Sequence, residues 1–173
     1  MSPEHAALIV EHAPFVWRVL VHLGVPQRRL EDASQEVFLV ALRDGFRGRS
    51  AFQSFLFGVC RNVARSQRRR YREESEIPME ELPETVVQPA QEGQLWVKRA
   101  HEQLLRALDG LDEAQREVFV LFELGELSME EVARATGAPL SSCYSRLYVA
   151  REHIQAELRR RSLAPSPAKE AKS

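Results

Sequence analysis

The sequence is poor in the features that define most enzyme, membrane and secreted classes. It has two cysteines in 173 residues, Cys60 and Cys143. Both fall among apolar residues at helical spacing, so buried free thiols are expected rather than a disulfide or a metal site. His5, His12, His22, His101 and His153 are scattered, and none pairs with a cysteine at zinc spacing, so no metal ligands are expected. No run of about 18 apolar residues occurs, which argues against membrane insertion. The first residues lack the basic-then-apolar order of a signal peptide, and a cytoplasmic protein is expected. There is no Gly-rich phosphate loop and no nucleophile with an adjacent base, so neither an enzyme nor a cofactor is expected. Internal repeats and strand-like alternation are also missing.

Charge of one sign is missing locally rather than globally. The net charge is -1, yet residues 1–72 carry 12 Arg against 6 acids, residues 73–95 carry 7 Glu and no cation, and residues 96–173 carry 12 of each sign. The basic first part is a candidate nucleic-acid surface, and the acidic middle cannot be one. That middle, Pro-containing and without sustained periodicity, reads as an acidic flexible linker over 73–93. It separates two small all-α domains, 1–72 and 94–161, followed by a disordered tail over 162–173. Helices are expected at His5–Leu23, Arg29–Arg43 and Ser50–Tyr71 in the first domain. The second should hold Gln94–Leu108, Asp112–Leu124, Ser128–Thr136 and Ser141–Arg160.

The last two of these helices read as a helix-turn-helix. Ser128 and Glu131 have capping-box spacing, which sets the start of the first helix. Gly137 and Pro139 stop it, and Ser141 or Ser142 is expected to cap the second. In that second helix Cys143, Leu147, Ala150, Ile154 and Leu158 recur at spacings of three and four and belong in the core. The opposite surface carries Ser142, Ser145, Arg146, Val149 and His153, flanked by Tyr144, Tyr148 and Arg151. Such a face can enter a major groove, with Arg bonding guanine edges and Ser hydroxyls meeting phosphates. A plain helical hairpin with a solvated face would carry the same periodicity.

In the first domain, EDASQEVFLVALR places Asp32, Gln35, Glu36, Leu39 and Arg43 on one side of a helix, with Val37, Val40 and Ala41 opposite. An acidic stripe interrupted by Leu39 suits a protein-docking face or a solvated one. The following helix packs Phe52, Phe55, Leu56, Val59, Cys60 and Val63, then ends in Arg65, Arg68, Arg69, Arg70 and Arg72. Five arginines within eight residues exceed what a helix C-terminus requires. The preceding DGFRGRS segment can cradle a backbone and stack an unpaired base, or be a basic loop.

Taken in order, these motifs resemble the bacterial alternative sigma factors of the extracytoplasmic-function (ECF) type. EDASQEVFLVALR resembles that family's DxxQEVFLxA helix, FRGRSAFQSFLFGVCRNVARSQRRR its promoter-melting segment, and LSMEEVA through GAPLSSCYSRLYVAR its minus-thirty-five reader. The likeness spans about residues 10–160. It implies a sigma-2-like and a sigma-4-like domain acting without covalent chemistry. Its implied partners are promoter DNA and core RNA polymerase, at the clamp coiled coil and the flap. An anti-sigma protein covering the docking surfaces is a further partner that the resemblance allows.

The resemblance assigns polymerase docking to Asp32, Gln35, Glu36, Leu39 and Arg43. Minus-ten DNA falls to Phe46, Arg47, Gly48, Arg49, Ser50, Asn62, Arg65, Arg68, Arg69 and Arg70. Minus-thirty-five DNA falls to Ser141, Ser142, Tyr144, Ser145, Arg146, Tyr148 and Arg151. The chain departs from the family pattern at Phe55, where Trp is common, and at Tyr144 and Val149, where basic residues are common. Each absent cation removes one possible phosphate contact. Two rival readings share the same residues: a one-component regulator that binds operator DNA alone, and a sigma-like scaffold that binds polymerase without reading promoters.

Overall fold

A computed structural model describes residues 3–44, 52–75 and 92–163. Among them the chain is helical, without strands: α1 (Pro3–His22), a 3-10 turn (Gln27–Arg29), α2 (Leu30–Asp44), α3 (Phe52–Ser75), α4 (Glu92–Asp109), α5 (Glu113–Phe119), a π turn (Val120–Leu124), α6 (Met129–Thr136) and α7 (Leu140–Leu163). The all-α expectation is met, and each expected helix is present with ends shifted by a few residues.

Helix α1 stops in a Schellman arrangement. Gly24 N–H donates to the Val21 carbonyl at 3.0 Å and Val25 N–H to the Leu20 carbonyl at 3.1 Å, with Gly24 at φ +86°. The chain then turns back, so α1, α2 and α3 pack around Val16, Leu20, Leu30, Val37, Leu56, Phe57 and Cys60, all 0–1 % exposed. Burial drives the Cys60 thiol pKa strongly upward, so Cys60 is a protonated core residue. Helix α3 runs to Ser75, past the boundary expected at residue 72. Arg29 pairs with Glu74, and the Arg28 guanidinium lies 4.6 Å from the Tyr71 ring centroid. These contacts fasten the last turns of α3 to the 3-10 turn, an interaction that local composition does not encode.

The second unit packs α7 against α4, α5 and α6. Two capping boxes set its helix starts. Ser128 Oγ accepts from Glu131 N–H at 3.2 Å and Ser128 N–H donates to Glu131 Oε2 at 2.8 Å, as expected. Asp112 and Gln115 form a second box, which was not among the expected caps. Gly137, at φ +67°, ends α6 in the left-handed conformation. Helix α7 begins one residue earlier than expected, because the Pro139 carbonyl already accepts from Cys143 N–H at 3.1 Å. Ser141 and Ser142 are therefore first-turn residues rather than caps. The expected Asp112–Leu124 helix changes character at Val120, where Gly125 N–H reaches back five residues to the Val120 carbonyl at 2.9 Å.

The structure takes part of the expected linker and tail into helices: residues 73–75 extend α3, 92–93 open α4, and 162–163 close α7. The rest of both segments lies outside the described residues.

The two units share a seam. Phe57 of α3 meets Phe15 edge-on, with ring centroids 5.2 Å apart, and its ring edge fills the space that a Cβ on Gly125 would need. Arg116 of α5 is buried across the seam, its Nε donating to the His22 carbonyl at 2.6 Å and its Nη1 to Asp109 Oδ1 at 2.9 Å. Burial draws its pKa down, and Asp109 opposes that shift.

Two glycines give a paired prediction. A Cβ on Gly24 would sit 2.8 Å from Arg116 Nη1 in a positive-φ conformation, so Gly24→Ala should lose about 1–3 kcal/mol in chemical denaturation. Gly58 sits inside α3, and a methyl group there would meet nothing within 4 Å, so Gly58→Ala should gain about 0.5–1 kcal/mol.

Candidate nucleic-acid interface

Helix α7 divides cleanly into two faces. Cys143, Leu147, Ala150 and Ile154 are 0–5 % exposed and Leu158 is half-buried. On the other side Ser141, Tyr144, Ser145, Tyr148 and Arg151 are exposed, and Ser142 and Arg146 are half-buried. The structure thus brings the seven expected residues together on the solvent side of the second helix of a helix-turn-helix. Two are already engaged: Ser145 Oγ donates to the Ser141 carbonyl at 3.1 Å, and Arg151 Nε donates to Glu123 Oε1 at 2.5 Å while its guanidinium lies 5.5 Å from the Phe122 ring centroid. Leu140 and Val149 add apolar surface at 41 % and 46 % exposure, so this face is more apolar than basic. His153, expected on the same face, is instead half-buried, and its imidazole lies against Gly110 at the turn between α4 and α5.

Helix α2 presents Asp32, Gln35, Leu39 and Arg43 to solvent, with Leu39 69 % exposed. Val37 and Ala41 are buried beneath them. Glu36 is half-buried and turned toward α3, where it accepts from Gln67 Nε2 at 2.8 Å and faces Arg70 at 3.9 Å. A groove of about 400 Å³ lies beside it, lined by Val40, Phe55, Gly58, Val59 and Asn62.

The arginines of α3 do not form one row. Arg70 turns to α2, Arg69 is exposed near Glu73 at 3.9 Å, and Arg65 and Arg68 turn to α5. Arg65 donates from Nε to Glu117 Oε1 at 2.6 Å and from Nη2 to Glu117 Oε2 at 3.0 Å, and these bonds raise its pKa. Arg61 donates from Nε to Glu117 Oε2 at 2.7 Å, and its Nη1 and Nη2 reach the Ala135 and Thr136 carbonyls, each at 3.2 Å. Arg61 and Glu117 were not among the expected site residues. A signal for them existed: Glu113 and Glu117 are four apart on one helix, as Arg61 and Arg65 are on another. The Phe46, Arg47, Gly48, Arg49 and Ser50 loop lies outside the described residues.

A helix-turn-helix with a solvent-facing second helix, joined to a three-helix bundle that carries an exposed acidic stripe and an arginine-rich helix, is the arrangement expected of a transcription factor of the sigma type. The model for Sigma-70 region 2 matches residues 8–74 and that for region 4 matches residues 101–154. The chain is 33% identical over 153 residues to the ECF RNA polymerase sigma factor EcfG of Rhodopseudomonas palustris, covering 87% of this chain and 82% of that one. It is 30% identical over 148 residues to the ECF RNA polymerase sigma-E factor of Escherichia coli, covering 78% and 76%. Among solved structures, the sigma factor RpoE of Bartonella quintana, in complex with the anti-sigma factor NepR, superimposes with a TM-score of 0.72 at 25% identity over 91% of this chain and 98% of that one.

The chain belongs to the ECF sigma factors of the sigma-70 family. It is an alternative sigma factor that binds core RNA polymerase and promoter DNA and directs transcription initiation. Sigma factors are regulatory DNA-binding proteins rather than catalysts. No helix among the described residues is long and apolar enough to cross a membrane.

The seam beside the α3 arginines also titrates. His22 is 6 % exposed, its Nδ1–H donating to the Arg18 carbonyl at 2.6 Å and its ring meeting His101 edge-on at 5.3 Å. Burial holds its pKa below the ordinary 6.5; the Arg18 carbonyl opposes that shift, and His101, Arg116 and the Arg18 guanidinium add to it. Folding therefore keeps His22 neutral where the unfolded chain already binds a proton. The unfolded state holds more protons below the ordinary value, so stability falls as the pH drops through 6.5. Urea midpoints measured between about pH 7.5 and 5.5 should decline more steeply for the natural chain than for His22→Asn, and parallel slopes would refute the assignment.

Proposed function

We propose that the three expected surfaces divide the work of initiation. Helix α7 reads the minus-thirty-five element through Ser141, Ser142, Tyr144, Ser145, Arg146, Tyr148 and Arg151. The polymerase flap is a further contact on the enzyme. Asp32, Gln35, Glu36, Leu39 and Arg43 dock α2 on the clamp coiled coil. The Phe46–Ser50 loop holds a flipped minus-ten base, while Asn62, Arg65, Arg68, Arg69 and Arg70 follow the adjoining backbone. Unstacking a base costs a few kcal/mol, which stacking and phosphate contacts offset.

The observation that carries this reading is the division of α7, with its apolar residues sealed in the core and its seven expected readers on the open side. In this scheme residues 1–72 and 94–161 act as separate domains, and the acidic residues 73–93 span the polymerase between them, in channels that nucleic acid otherwise occupies. The setting is the cytoplasm, where polymerase and chromosome are. An anti-sigma factor as a further partner is supported by the likeness to a sigma factor solved with one.

The test is run-off transcription with purified core polymerase on fragmented genomic DNA, followed by sequencing of transcript starts. New starts sharing two spaced upstream elements are expected. On such a promoter Arg146→Ala should cost about 1–3 kcal/mol at one base position of the minus-thirty-five element, while Arg69→Ala should weaken all sequences alike and flatten the salt dependence. Uniform loss from Arg146→Ala would remove it from the base-reading set.

A further inference from the structure

The face of α3 that meets the second unit is made of Ser54, Phe57, Arg61, Arg65 and Arg68, spaced three or four apart. Each has a partner there. Ser54 Oγ donates to Glu131 Oε1 at 3.2 Å, Phe57 abuts Gly125, Arg61 and Arg65 share Glu117, and Arg65 and Arg68 face Glu113 at 3.6 Å and 3.8 Å. Arg65 holds Glu117 through a two-pronged fork, one N–H to each oxygen. That is the geometry by which arginine also grips a phosphate. The Glu117 side chain is only 5% exposed, so its oxygens are hydrogen-bonded by these arginines rather than by water. Beside it a cleft of about 390 Å³ is lined by Arg65, Ser66, Arg68, Arg69 and Arg72 of α3, with Glu113 of α5 as its acidic wall.

We propose that in the free chain α5 occupies the arginine face of α3 as a stand-in for nucleic-acid phosphate, with Glu117 as the latch. Single-stranded DNA and α5 then compete for the same arginines, and the two units must part before α3 can engage a promoter strand. The proposal rests on the reading above that Arg65 and Arg68 contact the minus-ten backbone. It adds that their guanidinium groups are engaged by α5 carboxylates until something separates the units, although 42% of the Arg65 side chain stays exposed. The competition is between like chemistries: two carboxylates against two or three phosphates, on three arginines.

The test uses the full chain without polymerase, as the natural sequence, as Glu117→Gln and as Glu113→Gln. Three quantities are read: the radius of gyration by small-angle scattering, the thermal melt by circular dichroism, and the affinity for a fluorescein-labelled mixed-sequence single-stranded oligonucleotide by anisotropy across a salt series. Glu117→Gln should expand the chain and tighten oligonucleotide binding by about tenfold. Freeing two arginines should steepen the logarithmic salt slope by about 1.4, at about 0.7 per phosphate on single strands. Glu113→Gln, at an exposed position, should move both quantities the same way by less.

A folded Glu117→Gln chain with the radius and affinity of the natural one overturns the latch. Should Glu117→Gln fail to fold, Glu113→Gln decides alone, and unchanged binding there overturns it. Run-off transcription separates this from the promoter-reading scheme. Discrete starts with unchanged free-chain binding sink the latch alone. Tighter free-chain binding with Arg65→Ala harmless to transcription leaves the latch standing and removes Arg65 from the minus-ten set.

Discussion

Among the described residues, the arrangement of the helices turns on one carboxylate. Glu117 sits where three N–H groups of Arg61 and Arg65 converge, almost without water. A carboxylate in such a place is costly unless every oxygen is satisfied; removing Arg65 would take the donor from Oε1, and removing both arginines would leave an uncompensated charge. The contact is therefore a strong constraint on geometry whatever its net worth in stability. Arg61 extends it, because its remaining N–H groups take the last carbonyls of α6, whose negative dipole end they also neutralise. One side chain of α3 thus touches both α5 and the first helix of the helix-turn-helix.

Arg116, one residue before Glu117, makes the matching contact in the opposite direction, reaching from α5 to the last turn of α1 and back to Asp109. The two units are held by a crossed pair of buried charges around an apolar joint of Phe15, Phe57 and the bare Gly125 backbone. Gly24 has no side chain for two reasons at once, a positive φ and the guanidinium of Arg116 above it. Charged seams of this sort dissociate more readily than an apolar core of equal size, since both sides remain solvated when apart. That property suits a protein whose two DNA-reading surfaces must reach separate promoter elements.

Most of the helices were legible in the sequence, and so was the division of α7. Cys143, Leu147, Ala150 and Ile154 announce a buried stripe by spacing alone, and Ser128 with Glu131 marks a helix start by local chemistry alone. What was not legible depends on contacts between distant segments. The five clustered arginines read as one basic surface, yet in the fold they point three ways, because α3 is surrounded by α2 on one side and α5 on another. The extra turn of α3 depends on Arg29 and Tyr71, and the burial of His153 on a glycine some forty positions away. The helix period says which residues share a face; it is silent on what that face meets.

The solvent face of α7 carries little free positive charge. Leu140, Tyr144, Tyr148 and Val149 make it largely apolar, and Arg151 is held by Glu123. Such a face gains little from counterion release, so on its own it would bind DNA weakly and with little dependence on salt. Inside the polymerase that weakness matters less, because a second site on the same assembly converts minus-thirty-five binding into an intramolecular step at high effective concentration. What the face then has to supply is discrimination between base pairs. Under the proposed assignment, aromatic and aliphatic surface would supply it through contact with thymine methyl groups, and Arg146 through the edge of a guanine, without the sequence-blind attraction that added cations would bring.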